Sequence, residues 1–385
     1  MKILLGCSLG GSGHLLPVAA AARSLDRLGH TTQILVPPSM SERASAAGLN
    51  YVVGHQPEAT VIDTAWERVR QGPKEEVIGL IDREIFAGHA TDAMLESAQA
   101  AADSFQPDLI VREPCEYATA IVSHRLGLPQ IEIAISQARI EHGVLNDVAD
   151  VLDGHEPNLA DAIRSAPFLS SFPASLDPSP WSDTRRYHEP SEPGPPLPDW
   201  WPGDHRPLVY LTFGTVFGRL PEAPKAYRAA IEAVADLPVR ALVTLGHDDI
   251  ILDALPDNVH VERWVAQSRV LAESQLVICH GGSGTTFGAL QAGVPLVVCP
   301  FFADQIANGQ LVEQSGAGQV FHSATKNAGG VGALTEHDTI SLRQTVAQTL
   351  DSKTFLHAAR QIGAEMNRTP SLDSILAALL VELCG

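Results

Sequence analysis

The chain has 385 residues, 45% hydrophobic and 18% charged, and its 26 basic and 45 acidic side chains leave a net charge of −19. That length exceeds one ordinary core and suits two domains of roughly 150–200 residues each, while the composition describes a compact globular protein. So acidic a surface repels phosphate backbones, which excludes nucleic acid as a partner; an anionic ligand must be held locally, by backbone N–H groups and helix dipoles.

Five cysteines, at 7, 115, 279, 299 and 384, form no CxxC pair, and Cys7, Cys279 and Cys299 sit in or beside apolar runs. That usage fits a reduced, cytoplasmic protein with Cys as a small buried hydrophobe, and no metal is expected. The opening Leu4-Leu5-Gly6-Cys7 looks like the end of a lipoprotein signal, but its apolar stretch is too short for one. No run approaches the ~18 apolar residues of a membrane span, so stable membrane insertion is not expected.

In chain order, Ile3–Cys7 reads as a strand, Leu15–Leu28 as a helix closed by Gly29, and Thr32–Val36 as a strand. A helix near Ser39–Ala47, helical pattern over Lys74–Ser104, strand Leu109–Val111, a helix near Tyr117–Leu126 and strand Gln130–Ala134 follow. Between Pro173 and Pro207 lie ten of the 27 prolines, and proline without periodicity reads as a linker. The alternation then restarts with strand Leu208–Phe213, helix Glu222–Ala235, and strands Val239–Leu245, Val259–Glu262 and Leu276–Cys279. Helix Thr285–Ala292 and strand Pro295–Cys299 come next, then helices near Gln305–Gln314, Asp338–Leu350, Phe355–Asn367 and Ser371–Leu383. The pattern predicts an α/β protein with two doubly wound domains, 1–188 and 208–367, joined by a Pro-rich linker at 189–207. The final segment, 368–385, is read as a helix packing back on the first domain. Ligands of such sheets bind beyond the carboxyl ends of the strands, and the cleft between the domains is the expected site.

The segment with the clearest chemistry is His280-Gly281-Gly282-Ser283-Gly284-Thr285-Thr286, set between a strand and a helix. Glycines admit close backbone approach, the helix start supplies N–H groups and a positive dipole end, and the hydroxyls add donors. Together these suit a diphosphate. The plain alternative is a capped glycine turn. Asp304-Gln305 offers acceptors and donors side by side for vicinal sugar hydroxyls, although Asp304 also suits ordinary helix capping. Trp264, leaving a short strand, suits stacking on a nucleobase or a place in the core. Near the N-terminus a glycine turn carries His14 to the start of a helix, where it suits proton abstraction from a hydroxyl or simple capping. An orienting carboxylate is expected where strand Leu109–Val111 ends: Glu113, with Glu116 and Asp108 as competitors.

These pieces in this order resemble the bacterial natural-product glycosyltransferases of the GT-B fold, relatives of the plant UDP-glycosyltransferases, over essentially the whole chain. The resemblance rests on Gly13-His14-Leu15-Leu16-Pro17 with Leu28-Gly29-His30, on Pro107–Val111, on Leu211–Thr215, and on Trp264-Val265-Ala266-Gln267. Its most specific part runs from His280 through Gly293-Val294-Pro295 to Phe302-Ala303-Asp304-Gln305 with Ala307-Asn308. It implies two Rossmann-like domains, the first binding the acceptor and the second a nucleotide diphosphate-sugar. Trp264 would stack on the base, with Val265 and Gln267 at the base and ribose. His280, Gly282, Ser283, Gly284 and Thr285 would hold the diphosphate together with Thr215, and Asp304 and Gln305 would read the sugar. His14 matches the catalytic base, and Glu113 stands where relatives carry an orienting Asp.

Two departures are notable. Glu113 is one methylene longer than Asp, and Gly288 occupies the position of the plant motif's ribose-binding Glu, which is compatible with a dTDP donor lacking a 2′-hydroxyl. The implied reaction is inverting, metal-independent transfer of a sugar, expected to be a deoxysugar, from a dTDP or UDP carrier to a small hydrophobic acceptor such as a polyketide. The acceptor is expected against segments 56–92 and 136–172, which carry Trp66, Phe86, His89, His142 and Phe168. Two rival readings are transfer from a UDP-sugar to a lipid or cell-wall acceptor, and a non-catalytic nucleotide-binding homologue assisting a partner transferase. A homodimer is the one protein partner considered.

Overall fold

The structure is a computed structural model that describes the chain except for residues 72–78, 189–195, 247–249, 251, 253–254, 303, 324–333 and 385, and the side chains at 66, 69–71 and 219. It divides into two compact units, Met1–Glu189 with Thr369–Gly385, and Pro190–Arg368.

The first unit holds a parallel sheet of β1 (Lys2–Gly6), β2 (Thr31–Val36), β3 (Tyr51–Val53), β4 (Leu109–Arg112), β5 (Gln130–Ile133), β6 (Phe168–Ser170) and β7 (Thr184–Arg186). Their order is β3-β2-β1-β4-β5-β6-β7. The central strands are apolar at successive positions because both faces are covered. Ile3 and Leu5 pack with Leu15, Val18 and Leu25 of helix Ser12–Arg27 and with Leu376 and Leu379 of helix Leu372–Cys384. Leu4 and Ile110 face the other way, onto Met94 and Ala98 of helix Thr91–Phe105 and Val122 of helix Ala118–Leu126. The C-terminal helix is further tied down through Asp373, which accepts from Ser24 Oγ at 2.6 Å and from two guanidinium nitrogens of Arg27.

The second unit holds β8 (Leu208–Thr212), β9 (Arg240–Thr244), β10 (Val259–Glu262), β11 (Leu276–Cys279), β12 (Leu296–Val298) and β13 (Gly318–Val320), again parallel, in the order β10-β9-β8-β11-β12-β13. Its core joins Val209, Leu211, Val243 and Ile278 to Ala226 and Ala230 of helix Ala223–Ala235 and to Leu342 and Val346 of helix Thr339–Asp351. Both sheets are doubly wound, and strand order reverses between β1 and β4 in one and between β8 and β11 in the other. Crevices open at such switch points, beyond the strands' carboxyl ends.

Several elements differ from the sequence pattern. The Pro173–Pro207 stretch is not all linker: Thr184–Arg186 is a strand, with Phe168 paired to Thr184. Helices Ala59–Gln71, Ala138–His155 and Leu159–Arg164 fill the segments flanking the first sheet. The helical stretch anticipated over Lys74–Ser104 is, in its described part, a π-helix at Ile81–Ala90 running into Thr91–Phe105; residues 74–78 lie outside the described residues.

Candidate active site

In the first unit, register places Gly6 beside Arg112, so the chain leaving β1 and the chain leaving β4 emerge together. Glu113 is wholly buried there, and its carboxylate accepts from Ser8 N at 2.9 Å, Cys115 N at 2.7 Å and His14 Nδ1 at 3.1 Å. A carboxylate only accepts, so Nδ1 carries the proton and a neutral ring presents its lone pair at Nε2. His14 lies in the first turn of its helix with its side chain 18% exposed, and the Phe86 ring lies 5.5 Å away centroid to centroid. Gly10 makes this approach possible: its φ is +146°, and a Cβ there would fall 2.7 Å from His14 Nε2.

The longer Glu113 arm therefore reaches His14. The two competitors are engaged elsewhere, Glu116 by the amide of Thr119 at 3.1 Å and Asp108 by the amide of Lys2 at 2.8 Å. Sequence patterning gave no sign of what fixes this loop. Arg112, fully buried and ion-paired with Glu132, donates to the carbonyls of Glu113 at 3.1 Å and Glu116 at 3.3 Å. Nor did it mark Asp82, on the π-helix that carries Phe86. Burial, reinforced by Asp147 and opposed by His14, pushes the Asp82 carboxyl up to about 7.

In the second unit, β11 and the helix Ser283–Gln291 enclose His280–Thr286, with Gly282 as the N-cap. Helix geometry leaves the N–H groups of Ser283, Gly284 and Thr285 without intrahelical acceptors. The His280 ring is wedged beside the Gly214 turn, where a Cβ would fall 2.8 Å from it, and Thr215 is the next residue. Burial pushes the His280 imidazole down to about 4, against a hydrogen bond to the Thr212 backbone, and Nδ1 is buried with no partner. The ring is therefore neutral at pH 7.

Asp304 does not cap the helix Gln305–Gln314 with its side chain. Its Oδ2 instead accepts from Ser283 Oγ at 2.7 Å and Asn308 Nδ2 at 2.9 Å. Asn308 also donates to Gly281 O at 2.9 Å and Ser283 Oγ at 3.1 Å, which locks the glycine turn to the next helix. Gln305 spends its Oε1 on the amides of Phe301 and Phe302, so its NH2 is the part left to meet a ligand. Trp264 is 62% exposed, which removes the core alternative for it. Val265 is half-buried, and Gln267 opens the helix Gln267–Glu273 with its Nε2 buried and unpartnered. That nitrogen lies 3.6 Å from where a Cβ on Gly288 would sit, so a side chain at 288 would crowd it.

Of the aromatic and histidine residues expected to face an acceptor, Phe86 does meet His14. Phe168 is core, stacked on Trp181 at 4.7 Å, and His142 packs edge-on against Trp181 at 5.5 Å. His89 is exposed, and the Trp66 side chain lies outside the described residues.

Comparison with known proteins places these sites in context. Residues 228–383 match the family model of the erythromycin biosynthesis protein CIII-like C-terminal domain. The chain is 28% identical over 349 residues to L-demethylnoviosyl transferase of Streptomyces niveus, covering 87% of this chain and 89% of that protein. It matches the glycosyltransferase SnogD of Streptomyces nogalater with a TM-score of 0.74 and 26% identity, over 100% of this chain and 99% of that one. The fold is also that of spinosyn rhamnosyltransferase SpnG, whose structure with thymidine diphosphate aligns with a TM-score of 0.77 at 21% identity over 98% of this chain and 100% of that one. No helix among the described residues is long and apolar enough to cross a membrane.

Proposed function

The chain is a glycosyltransferase of the GT-B fold carrying an EryCIII-like C-terminal domain, and from that premise we propose that it moves a deoxysugar from dTDP onto a hydrophobic natural-product aglycone with inversion at the anomeric carbon. The observation that carries this is the hydrogen bond between His14 and the buried, three-fold-held Glu113. His14 Nε2 takes the proton of an acceptor hydroxyl while that oxygen attacks C1 of the sugar. Glu113 holds the ring's tautomer and stabilises the imidazolium that forms.

The bond from C1 to the diphosphate breaks as the new one forms, and negative charge gathers on the departing β-phosphate. First-turn N–H groups of Ser283, Gly284 and Thr285 and the helix dipole stabilise that charge, together with the hydroxyls of Thr285 and Thr215. This scheme assigns no step to a metal ion. A neutral His280 adds a hydrogen-bonding group without trapping the product by charge. Trp264 stacks on the base, and the backbone of Val265 and the side chain of Gln267 meet base and ribose. Asp304, its Oδ2 already held by Ser283 and Asn308, and Gln305 read the sugar hydroxyls.

Support for a thymidine carrier comes from two sides: SpnG has been crystallised with thymidine diphosphate, and Gly288 supplies no carboxylate for a ribose 2′-hydroxyl. The test is to titrate TDP and UDP into the purified chain, then to assay matched dTDP- and UDP-sugars against aglycones by mass spectrometry. TDP binding more tightly than UDP, with a product of inverted configuration, is the expected outcome. Binding of neither nucleotide would sink the reading.

A further inference from the structure

We propose that His14, Glu113 and Cys115 form an inhibitory binding site for a soft divalent cation, Zn2+ being the fitting member of that class. One donor atom from each residue lies within 4.8 Å of the other two. Nitrogen, carboxylate oxygen and sulfur are the donor set that Zn2+ accepts, and three protein ligands leave a fourth position for water.

Much of the geometry is already fixed. Glu113 is anchored by two backbone amides and hydrogen-bonded to His14 at 3.1 Å, and Cys115 belongs to the loop that Arg112 clamps. Bonds of about 2.0–2.3 Å set tetrahedral donors about 3.3–3.8 Å apart, so the cluster must close by only about 1 Å. The site is reachable: His14 is 18% exposed, and Cys115 is partly exposed and lines a pocket with Ser8, Leu9, His55 and Met94. The carboxylates of Asp82, Glu132 and Glu141 are close enough to act on the Cys115 sulfur alongside Glu113, and among these groups Arg112 is already paired with Glu132.

Binding releases the Cys115 thiol proton to solvent. Either mode of His14 coordination removes the base: Nε2 is occupied directly, or coordination by Nδ1 shifts the ring proton to Nε2. The inhibitory consequence rests on His14 being the base, whereas the binding itself does not.

The experiment therefore reads both. In a Cys384→Ser background, which removes the exposed thiol, Co2+ is titrated into nucleotide-free protein and followed by near-ultraviolet absorption. A thiolate-to-cobalt charge-transfer band is expected, displaced by Zn2+ and abolished by Cys115→Ser. In turnover assays, buffered free Zn2+ should inhibit, a chelator should restore activity, and Cys115→Ser should weaken inhibition by about 10–100-fold while leaving the metal-free rate within about threefold. No band, or a band or inhibition that Cys115→Ser leaves unchanged, overturns the site. A band abolished by Cys115→Ser together with unimpaired turnover in Zn2+ upholds the cation site and overturns His14 as the base instead.

Discussion

Gly282→Ala places a single methyl group inside the proposed diphosphate cradle. The backbone at 282, φ −61° and ψ 142°, is ordinary for alanine, so the substitution brings no backbone strain. Its cost is steric. The added Cβ falls 2.8 Å from His280 Cε1 and closer still to Nε2, against about 3.5–4.0 Å for a relaxed contact, so the ring must retreat by about 1 Å. It has little room, because the Gly214 turn lies against the same ring. Overpacking of this kind costs about 1–3 kcal/mol, which in a unit of this size lowers Tm by roughly 2–4 °C per kcal/mol. The variant should remain folded at 20 °C. A ring displaced by that much no longer lines the cradle, and TDP affinity should fall about 10–100-fold by calorimetry, equivalent to about 1.4–2.7 kcal/mol. Gly154→Ala, in helix Ala138–His155 of the first unit, is the control: its Cβ also meets nothing within 4 Å, and it should bind TDP within about threefold of the parent. A folded Gly282→Ala protein that binds TDP like the parent would refute the proposed role of His280 in the cradle.

Asn308→Ala removes the donor to Gly281 O, Ser283 Oγ and Asp304 Oδ2, and should cost about 1–3 kcal/mol in thermal or urea unfolding and raise KM for the sugar donor. Trp264→Ala, at an exposed position, should leave Tm nearly unchanged while weakening TDP by about 1–3 kcal/mol. Asp82 binds its proton more tightly in the fold, with a pKa of about 7 against 3.8, so the native state holds the extra proton between those values and loses stability as pH rises through them. Asp82→Asn should therefore stabilise the protein at pH 8, by up to about 4 kcal/mol, and leave it unchanged near pH 4. A gain of equal size at both pH values would show that ionisation is not the cause.

The parts of this protein that were legible in the sequence are those where one physical demand dominates a short stretch. Strands buried on both faces, such as Leu276–Cys279, announce themselves by continuous apolar runs, and the bounds of that one match the structure residue for residue. Gly318–Val320 and Thr184–Arg186 do not: they are short and only partly buried, and the second lies among prolines that pointed to a linker. The π-helix at Ile81–Ala90 keeps a helical hydrophobic pattern, so composition cannot separate it from an α-helix. At the sites, glycines and the residue types around them were visible, whereas partnership was not. Nothing local told that Asp304 would turn from its own helix to Ser283 and Asn308. Nor does the string Arg112-Glu113 show a buried guanidinium holding the carbonyls of the loop that carries the carboxylate, since that depends on Glu132 from a neighbouring strand.

The most direct test of the account is the turnover number of His14→Ala, measured at saturating donor and acceptor once TDP affinity has been shown to equal the parent's. Loss of a general base lowers the rate by about 10²–10⁴-fold, and that loss, with unchanged TDP binding, is what the His14–Glu113 pair predicts. Turnover within threefold of the parent would contradict it.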